Sequence, residues 1–378
     1  MSNRRSLERR LLAALDGAPR RIPFVLGSCG SGRTTLLTAL HEQRGARACQ
    51  YIDVERSATT PERFYRAVIS TSPFRAADNR PITSPREAFQ AVVAFLSSAR
   101  TEDGAPATFL LDEVLEFRTF ESFPGLRGLI VDLFAALAKS ENAFVLTTRY
   151  AKRAERLLRD PGPFLVIRMP PLSETDTSEA LAAAVRRGAS PVAAAASSGG
   201  TVAGAAAAGH PDAPRIVQAL ADGRAAYVRY ICDQMTALAR DGFADPISAL
   251  TALLGSDGRL SARCGFCYEL RLHRARGYGA LKAILDILAQ ENPLTLTEIA
   301  QRLHRTPGST KDYLSWLEDV DLVAMERKRY TFADPILKLW VRLHCRPVPP
   351  HEEEVAREVQ RYAMERLARS AEALQASA

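Results

Sequence analysis

A glycine-rich stretch between an apolar run and a helical pattern constrains the fold of this chain more than any other feature. Residues 22–26 read IPFVL, residues 27–35 read GSCGSGRTT, and residues 34–41 read TTLLTALH with apolar positions at helical spacing. A short apolar run that ends in glycines is typical of a buried strand. A buried strand, a glycine-rich loop and a helix in this order predict one unit of a parallel α/β sheet.

The loop matches the template G-x-x-x-x-G-K-[ST] at Gly27, Gly32 and Thr34, but Arg33 stands at the lysine position. Glycines let successive backbone amides turn inward around phosphates, and the next helix adds its positive N-terminal end. A cation reaches the outer phosphates and a hydroxyl holds Mg²⁺. The loop therefore predicts a nucleotide-phosphate site, although a plain glycine turn stays open on this stretch alone. Its residues are Gly27, Ser28, Cys29, Gly30, Ser31, Gly32, Arg33, Thr34 and Thr35.

Two later apolar runs end in polar residues that complete such a site. Residues 107–113 read ATFLLDE, so Asp112 could hold Mg²⁺ and Glu113 could polarise an attacking water. Residues 143–149 read AFVLTTR, which places Thr147, Thr148 and Arg149 where they could contact a γ-phosphate or the water. Further short apolar runs at 48–54 and 164–168 alternate with helical patterns, which predicts a parallel sheet covered on both faces.

The chain resembles the AAA+/STAND group of P-loop ATPases, specifically the bacterial and archaeal ATPases that carry a winged-helix domain. The resemblance rests on three motifs in this order: GSCGSGRTT, FLLDE and VLTTR. The resemblance implies a core in which the loop strand is central and the strand ending in Asp112 is one removed from it. It also implies a helical lid that starts after residues 170–172 (PPL).

The same resemblance implies roles for single residues, with ATP and Mg²⁺ as the cofactors. Gly27, Gly32 and Thr34 become phosphate and Mg²⁺ ligands, and Asp112 becomes the Mg²⁺ aspartate. Glu113 becomes the catalytic glutamate, while Thr147 or Thr148 and Arg149 fall on the sensor position. Arg224, at a helix start in the lid, is the candidate for a second phosphate-sensing cation.

Arg33 is the departure from this pattern. Arginine keeps the positive charge but presents a larger planar fork than lysine. We therefore expect nucleotide binding to survive and hydrolysis, which depends on close placement at the γ-phosphate, to be slow. The retained pair Asp112 and Glu113 favours a working site. No arginine finger is assigned, since Arg118 and Arg127 fit that role and a structural role equally.

The C-terminal third has the pattern of a winged helix. Three helices are predicted, at 278–290, 295–303 and 309–317, the second opened by the capping box TLTE, and a hairpin follows at 322–332. Such domains place the third helix in the DNA major groove and the wing on the backbone. They also serve as protein docking modules, and acidic residues at 312, 318, 319 and 321 weigh against a polyanion. The candidate DNA-binding residues are Ser309, Thr310, Lys311, Arg327, Lys328 and Arg329.

These patterns predict four parts: a P-loop ATPase core at 1–172, a helical lid at 173–255 with a flexible small-residue insertion at about 188–209, a winged-helix domain at 256–346 and a charged C-terminal helix at 347–378. The leading hypothesis is a nucleotide-dependent switch coupled to the winged helix. The alternative is a scaffold that holds nucleotide without hydrolysing it. The expected partner is double-stranded DNA or a protein docked on the winged helix, and a homo-oligomer stays open.

Composition narrows the class of protein. The formal net charge of +7 is compatible with an acidic partner. The N-terminus lacks the continuous apolar centre of a signal peptide, and no run is long and apolar enough for a membrane span, so we expect a cytoplasmic location. Of six cysteines only Cys264 and Cys267 are closely spaced. A zinc site needs about four ligands, so free thiols are the favoured interpretation.

Overall fold

The computed structural model describes residues 3–74, 82–188, 212–239, 245–275 and 277–375. The chain divides into two compact units, Asn3–Pro170 and Pro171–Ala378. The predicted insertion at about 188–209 lies outside the described residues except for its first residue. The finer division into lid, winged helix and C-terminal helix stays a prediction.

The first unit contains a five-stranded parallel sheet in the order β2-β3-β4-β1-β5. Strands β1 and β3 are buried along their whole length, as expected for a parallel sheet with both faces covered. The predicted α/β fold is confirmed, and so is the central position of the loop strand, with β4 between it and β3. The strands are β1 (Ile22–Leu26), β2 (Cys49–Asp53), β3 (Thr108–Asp112), β4 (Ala143–Thr148) and β5 (Phe164–Arg168).

Helices connect these strands, and their starts follow ordinary capping rules. Thr60 and Ser84 each accept a hydrogen bond from a first-turn amide, with a proline at the next position. One apolar cluster joins Leu11 of the first helix and Leu37 of the second to Val25 of β1. The helices are α1 (Asn3–Asp16), α2 (Arg33–Arg44), α3 (Val54–Ser57), α4 (Pro61–Ser70), α5 (Pro85–Ser98), α6 (Leu129–Lys139) and α7 (Ala151–Leu157), with a 3₁₀-helix at Val114–Ser122.

The sheet register brings the ends of four strands together. Leu26 pairs with Thr148, and Leu111 pairs with Leu146, while Asp53 pairs with Asp112. Because these strands are parallel, their carboxyl ends share one edge of the sheet. The glycine-rich loop and the residues that follow β2, β3 and β4 therefore meet at this edge.

The described part of the second unit begins with six helices and continues with a small antiparallel sheet in the order β6 (Leu294–Thr295), β8 (Arg329–Phe332) and β7 (Val323–Glu326). The predicted capping box is present, since Thr295 and Glu298 cap each other's backbone amides. Arg327 and Lys328 form the two-residue turn between β7 and β8. The elements are α8 (Glu174–Gly188), α9 (Ala213–Leu220), α10 (Ala225–Ala239), α11 (Pro246–Leu254), α12 (Arg259–Arg274), α13 (Tyr278–Gln290), β6 (Leu294–Thr295), α14 (Leu296–Arg302), α15 (Pro307–Asp319), β7 (Val323–Glu326), β8 (Arg329–Phe332) and α16 (Pro335–His344).

The last described helix, α17 (Glu352–Gln375), packs against α9, α11 and α16 within the second unit. Val359 and Tyr362 are buried, and the Tyr362 hydroxyl donates to the carbonyl of Leu220 at 2.7 Å. Arg366 donates to the carbonyl of Ala219. Among the described residues, none of the helices has the length and apolar character needed to span a membrane.

Candidate functional site

The glycine-rich loop wraps the N-terminus of α2. Gly30 and Gly32 have backbone φ angles of 79° and 93°, which residues other than glycine rarely adopt. A Cβ at Gly27 would lie 2.5 Å from the Ser31 hydroxyl, so this position also requires glycine. No side chain caps the start of α2. Its first amides are therefore available to an anion, as a helix N-terminus favours.

Arg33 is folded underneath the loop. Its guanidinium donates to the carbonyl of Ser28 at 2.7 Å and to the hydroxyl of Ser31 at 3.3 Å. The same group forms an ion pair with Glu113, and both side chains are buried. Its Nε has no hydrogen-bond partner among the described residues. A buried guanidinium with unused donor capacity beside the uncapped N-terminus of α2 is suited to an added phosphate.

Asp112 is the centre of a ring of hydroxyl groups. It accepts hydrogen bonds from Thr34 at 2.6 Å, from Tyr51 at 3.0 Å and from Thr147. Burial and the neighbouring Asp112 raise the pKa of Tyr51, so this hydroxyl keeps its proton and remains a donor. Asp112 and the exposed Thr34 hydroxyl together offer the oxygen ligands that Mg²⁺ prefers.

Glu113 is held between two arginines. Its backbone is left-handed, with φ at 57°, and its carboxylate accepts from the Arg149 amide at 3.0 Å. The Arg149 Nε lies 3.2 Å from Oε1 of this carboxylate, the oxygen that also pairs with Arg33. Burial would raise the pKa of Glu113, but Arg33 and Arg149 outweigh it and hold the pKa below its usual value. Glu113 is therefore an anion, as a base that activates water must be.

Arg149 is locked by carboxylates from three elements. Besides Glu113 it pairs with Glu55, and its guanidinium lies 3.8 Å from Glu116. Burial acts to lower its pKa, and Glu113, Tyr150 and Glu55 raise it further than burial lowers it. The residue is thus a permanent cation beside the carboxylate that would act on water.

The structure distinguishes the two threonines of the predicted sensor. Thr147 bonds Asp112 and accepts from the Glu113 amide at 3.2 Å, so it belongs to the site. Thr148 is fully buried and accepts from the Tyr150 amide. A role for Thr148 in catalysis stays a prediction. Cys29 lies half-buried in the loop, and Thr35 is exposed on the first turn of α2.

Sequence reasoning missed Tyr51, Glu55 and Glu116. Tyr51 lies within β2 and Glu55 lies in α3, directly after that strand, so the convergence of parallel strand ends could have indicated Glu55. Glu116 lies in the 3₁₀-helix and bonds the Tyr150 hydroxyl at 2.8 Å. No sequence pattern points to that position.

Comparison with known proteins supports the fold assignment. No family model matches the chain, and no curated protein matches it. A Walker-type ATPase of Pyrococcus abyssi is 18% identical, with a TM-score of 0.61 over 90% of this chain and 96% of that one. This fold is that of a P-loop ATPase. Two more distant structures are also similar. The ORC2 protein of Aeropyrum pernix is 15% identical, with a TM-score of 0.49 over 97% of this chain and 94% of that one. A RuvB variant of Thermotoga maritima is 12% identical, with a TM-score of 0.44 over 88% of this chain and 92% of that one, and similarity at this distance carries no argument.

The residues of this P-loop site fit a magnesium nucleotide. Thr34 and Asp112 already converge within 2.6 Å, and a P-loop needs few further protein ligands because phosphates and waters complete the Mg²⁺ shell. Elsewhere in the described ranges, no three His, Cys, Asp or Glu residues cluster as a metal site. Cys264 is buried and Cys267 half-buried, both on α12.

The six predicted DNA-binding residues differ in exposure. Lys311 is exposed on α15 and Ser309 is half-buried at its start. Thr310 is fully buried, and its hydroxyl donates to the carbonyl of Thr306. Thr310 therefore presents no side-chain group to a ligand in this structure. The three hairpin residues are exposed: Arg327, Lys328 and Arg329.

Arg224 has a different environment from the one expected of a phosphate sensor. Its guanidinium is buried within the second unit, 3.2 Å from Asp334, and donates to the carbonyl of Ala333. The Tyr227 hydroxyl also donates to Asp334, at 2.5 Å. These contacts fix the start of α16, whose amides Asp334 caps. A phosphate-sensing role for Arg224 stays a prediction.

Proposed function

We propose that this protein is an ATPase of the AAA+/STAND type, in which nucleotide at the P-loop controls a winged-helix module that binds double-stranded DNA. The observation that carries the proposal is the convergence at one sheet edge of the loop, the Thr34–Asp112 pair and the buried carboxylate of Glu113. A site lacking one of these could bind an anion but could not both hold Mg²⁺ and activate water.

Each residue of the site has a distinct task in this proposal. The loop amides and Arg33 bind the phosphates, and Thr34 and Asp112 hold Mg²⁺, which supplies charge neutralisation at the transferring phosphoryl group. Glu113 accepts a proton from the attacking water. Arg149 and the Arg149 amide fix the Glu113 carboxylate, while Thr147 fixes Asp112 and the turn into Glu113.

While Arg33 and Glu113 are paired with each other, Arg33 cannot bind phosphate fully and Glu113 cannot accept a proton from water. The carboxylate that would accept the proton is held by the cation that would bind the phosphate. In this proposal, phosphates draw Arg33 towards them and release Glu113 on one side. The pair is therefore a resting arrangement, and its strength limits turnover.

Two observations support the winged-helix part of the proposal. The order of helices and strands from Tyr278 to Phe332 is that of a winged helix. The tip residues Arg327 and Lys328 both have positive φ angles, 48° and 63°, where asparagine and glycine are favoured. Strained cations at an exposed hairpin tip suit contact with phosphates better than a purely structural turn.

The ATPase proposal is tested by steady-state phosphate release with Mg-ATP, with and without duplex DNA. We expect turnover in the wild type, loss of at least a hundredfold in Glu113→Gln, and no change in the control Glu102→Gln, an exposed residue of the same unit. Equal rates in wild type and Glu113→Gln would contradict the assignment of Glu113. Stimulation by DNA is the expected sign of coupling.

A second function is favoured by the Arg33–Glu113 ion pair itself. If that pair persists with nucleotide bound, the protein is a nucleotide-holding scaffold without turnover. Nucleotide binding with no phosphate release in wild type, with or without DNA, would support the scaffold and refute the ATPase.

The DNA-binding part is tested by the salt dependence of duplex affinity. The triple variant Arg327→Ala, Lys328→Ala, Arg329→Ala should weaken binding and reduce the log–log salt slope by about 2–3, since each neutralised phosphate contributes about 0.9. A control with Arg5, Arg10 and Arg47 changed to Ala has the same change of charge in the other unit. Equal effects of both triples would exclude the wing from a specific role.

A further inference from the structure

A cavity rich in cations lies within the second unit, separate from the nucleotide site. It has a volume of about 600 Å³, within the range of roughly 300–1,000 Å³ typical of small-molecule sites. Its walls are the turn and outer face of the β7–β8 hairpin, α16 and α17. No residue of α14 or α15 lines it. It is therefore on the face of the hairpin away from the predicted recognition helix.

Positive charge predominates in this cavity. Three acidic residues line it, Asp222, Glu326 and Glu365. Asp222 is already paired with Arg366. Twice as many basic residues line it: Arg327, Arg329, Lys338, Arg342, Arg366 and Arg369.

Lys338 is a half-buried cation of this cavity. Its ammonium donates to the side-chain oxygen of Asn292 at 2.9 Å, and no carboxylate pairs with it among the described residues. Burial, together with Arg342, Arg369 and Arg361, lowers the pKa of Lys338 to about 8, although Glu365 acts in the opposite direction. Burial and the nearby arginines therefore disfavour the charged ammonium, and a bound anion would offset this effect.

We propose that this cavity binds a phosphate-bearing anion through Lys338 and Arg369. Arginine forks and a lysine ammonium are the usual ligands of phosphate oxygens. Arg369 is exposed and makes no ion pair within the described part of the chain, so its donors are free for a ligand. The phosphate can belong to a free polyphosphate or to the backbone of a nucleic acid, and the experiment separates the two.

The test reads Lys338 directly and so does not depend on binding at the P-loop. The chain has six lysines, at positions 139, 152, 282, 311, 328 and 338. The intact protein is acetylated briefly at pH 8 with and without pyrophosphate, and mass spectrometry gives the rate at each lysine. We expect pyrophosphate to slow acetylation of Lys338 at least fivefold and to leave Lys282, which is half-buried on α13 and does not line the cavity, unchanged.

A parallel reaction with duplex DNA identifies the source of the phosphate. Protection of Lys338 by pyrophosphate supports a free polyphosphate, and protection by duplex alone supports a backbone phosphate. Protection of Lys311 and Lys328 in the same digest reports separately on the proposed recognition helix and wing, so the two proposals fail independently. An unchanged Lys338 rate with both ligands would overturn the proposal.

A matched pair of variants tests the assignment of Arg369. Arg369→Gln should raise the ligand concentration for half-protection of Lys338 at least fivefold. Arg357→Gln removes the same charge from an exposed position of the same helix that does not line the cavity, and should leave the protection curve unchanged. Equal shifts in both variants would show a general charge effect and no site.

Discussion

Restoring the usual lysine at position 33 should make the proposed ATP hydrolysis faster and the protein less stable. The guanidinium of Arg33 makes three contacts, with Ser28, Ser31 and Glu113, and a single ammonium cannot reproduce all three. Arg33→Lys keeps the charge that binds phosphate. It weakens the hold on Glu113, which in the resting arrangement must be released before it can accept a proton.

The sizes of both effects follow from these contacts. The guanidinium donates charge-assisted hydrogen bonds to Ser28 and Ser31, and a lysine ammonium can keep one of the two, so losing the other should lower the free energy of unfolding by roughly 1.5–3 kcal/mol. A hydrogen bond to a charged group is worth about 1.5–3 kcal/mol. If that energy opposes turnover in the wild type, kcat should rise about ten- to hundredfold in Arg33→Lys.

Steady-state phosphate release gives kcat, and denaturant unfolding gives the stability. The double variant Arg33→Lys, Glu113→Gln must be inactive, which shows that any added rate still depends on Glu113. A folded Arg33→Lys protein that binds nucleotide as well as wild type but turns over no faster would refute the reasoning, because the ion pair would then not limit the reaction.

Three further substitutions test other contacts. Tyr51→Phe removes the 3.0 Å hydrogen bond to Asp112, so KM for Mg-ATP should rise about two- to fivefold while kcat changes by less than a factor of two. Initial rates over a range of Mg-ATP concentrations measure both constants, and an unchanged KM would exclude Tyr51 from the site. The double variant Arg327→Asn, Lys328→Gly removes backbone strain at two residues with left-handed φ angles, so the free energy of unfolding should rise by about 1–2 kcal/mol. Duplex binding should weaken, and a gain in DNA affinity would contradict the wing's role. Arg224→Met leaves the buried Asp334 without its ion-pair partner and should destabilise the second unit by about 3–5 kcal/mol, measured by chemical unfolding. A loss of nucleotide affinity at unchanged stability would instead favour the sensor role of Arg224.

Sequence patterns sufficed where one segment determines its own structure. The loop, α2 and the capping box at Thr295 and Glu298 depend on residues that are neighbours in the chain. The position of β3 relative to β1 came from a family resemblance and agrees with the observed sheet order. Local pattern and family likeness together therefore predicted the sheet edge at which the site lies.

What sequence could not predict are contacts that depend on register and helix phase. Whether Thr147 or Thr148 reaches Asp112 depends on the pairing of Leu111 with Leu146, which no local pattern specifies. Thr310 was grouped with the exposed positions of α15, but the phase of that helix buries it. The Arg33–Glu113 pair joins residues 80 positions apart, and its existence follows only from the folded sheet.

The balance of charge at the site leads to a final prediction about magnesium. Four carboxylates, of Glu55, Asp112, Glu113 and Glu116, surround the two guanidiniums of Arg33 and Arg149, so the site is negative before any phosphate enters. A nucleotide polyphosphate without Mg²⁺ would meet repulsion of about 3–4 kcal/mol for each unit charge at about 4–6 Å in a partly exposed site. We expect nucleotide affinity to fall at least a hundredfold when EDTA replaces Mg²⁺, measured with a fluorescent ATP analogue.

The variant Asp112→Asn should change nucleotide affinity in opposite directions with Mg²⁺ and with EDTA, whereas a general loss of structure would weaken binding under both conditions. The variant loses a Mg²⁺ ligand and one negative charge, while Thr34 and Thr147 keep an oxygen to bond. With Mg²⁺ it should bind nucleotide more weakly than wild type, because the ion is held less well. In EDTA it should bind more tightly than wild type, because one source of repulsion is gone. If Asp112→Asn binds more weakly under both conditions, Asp112 acts by supporting the loop and not by holding the metal.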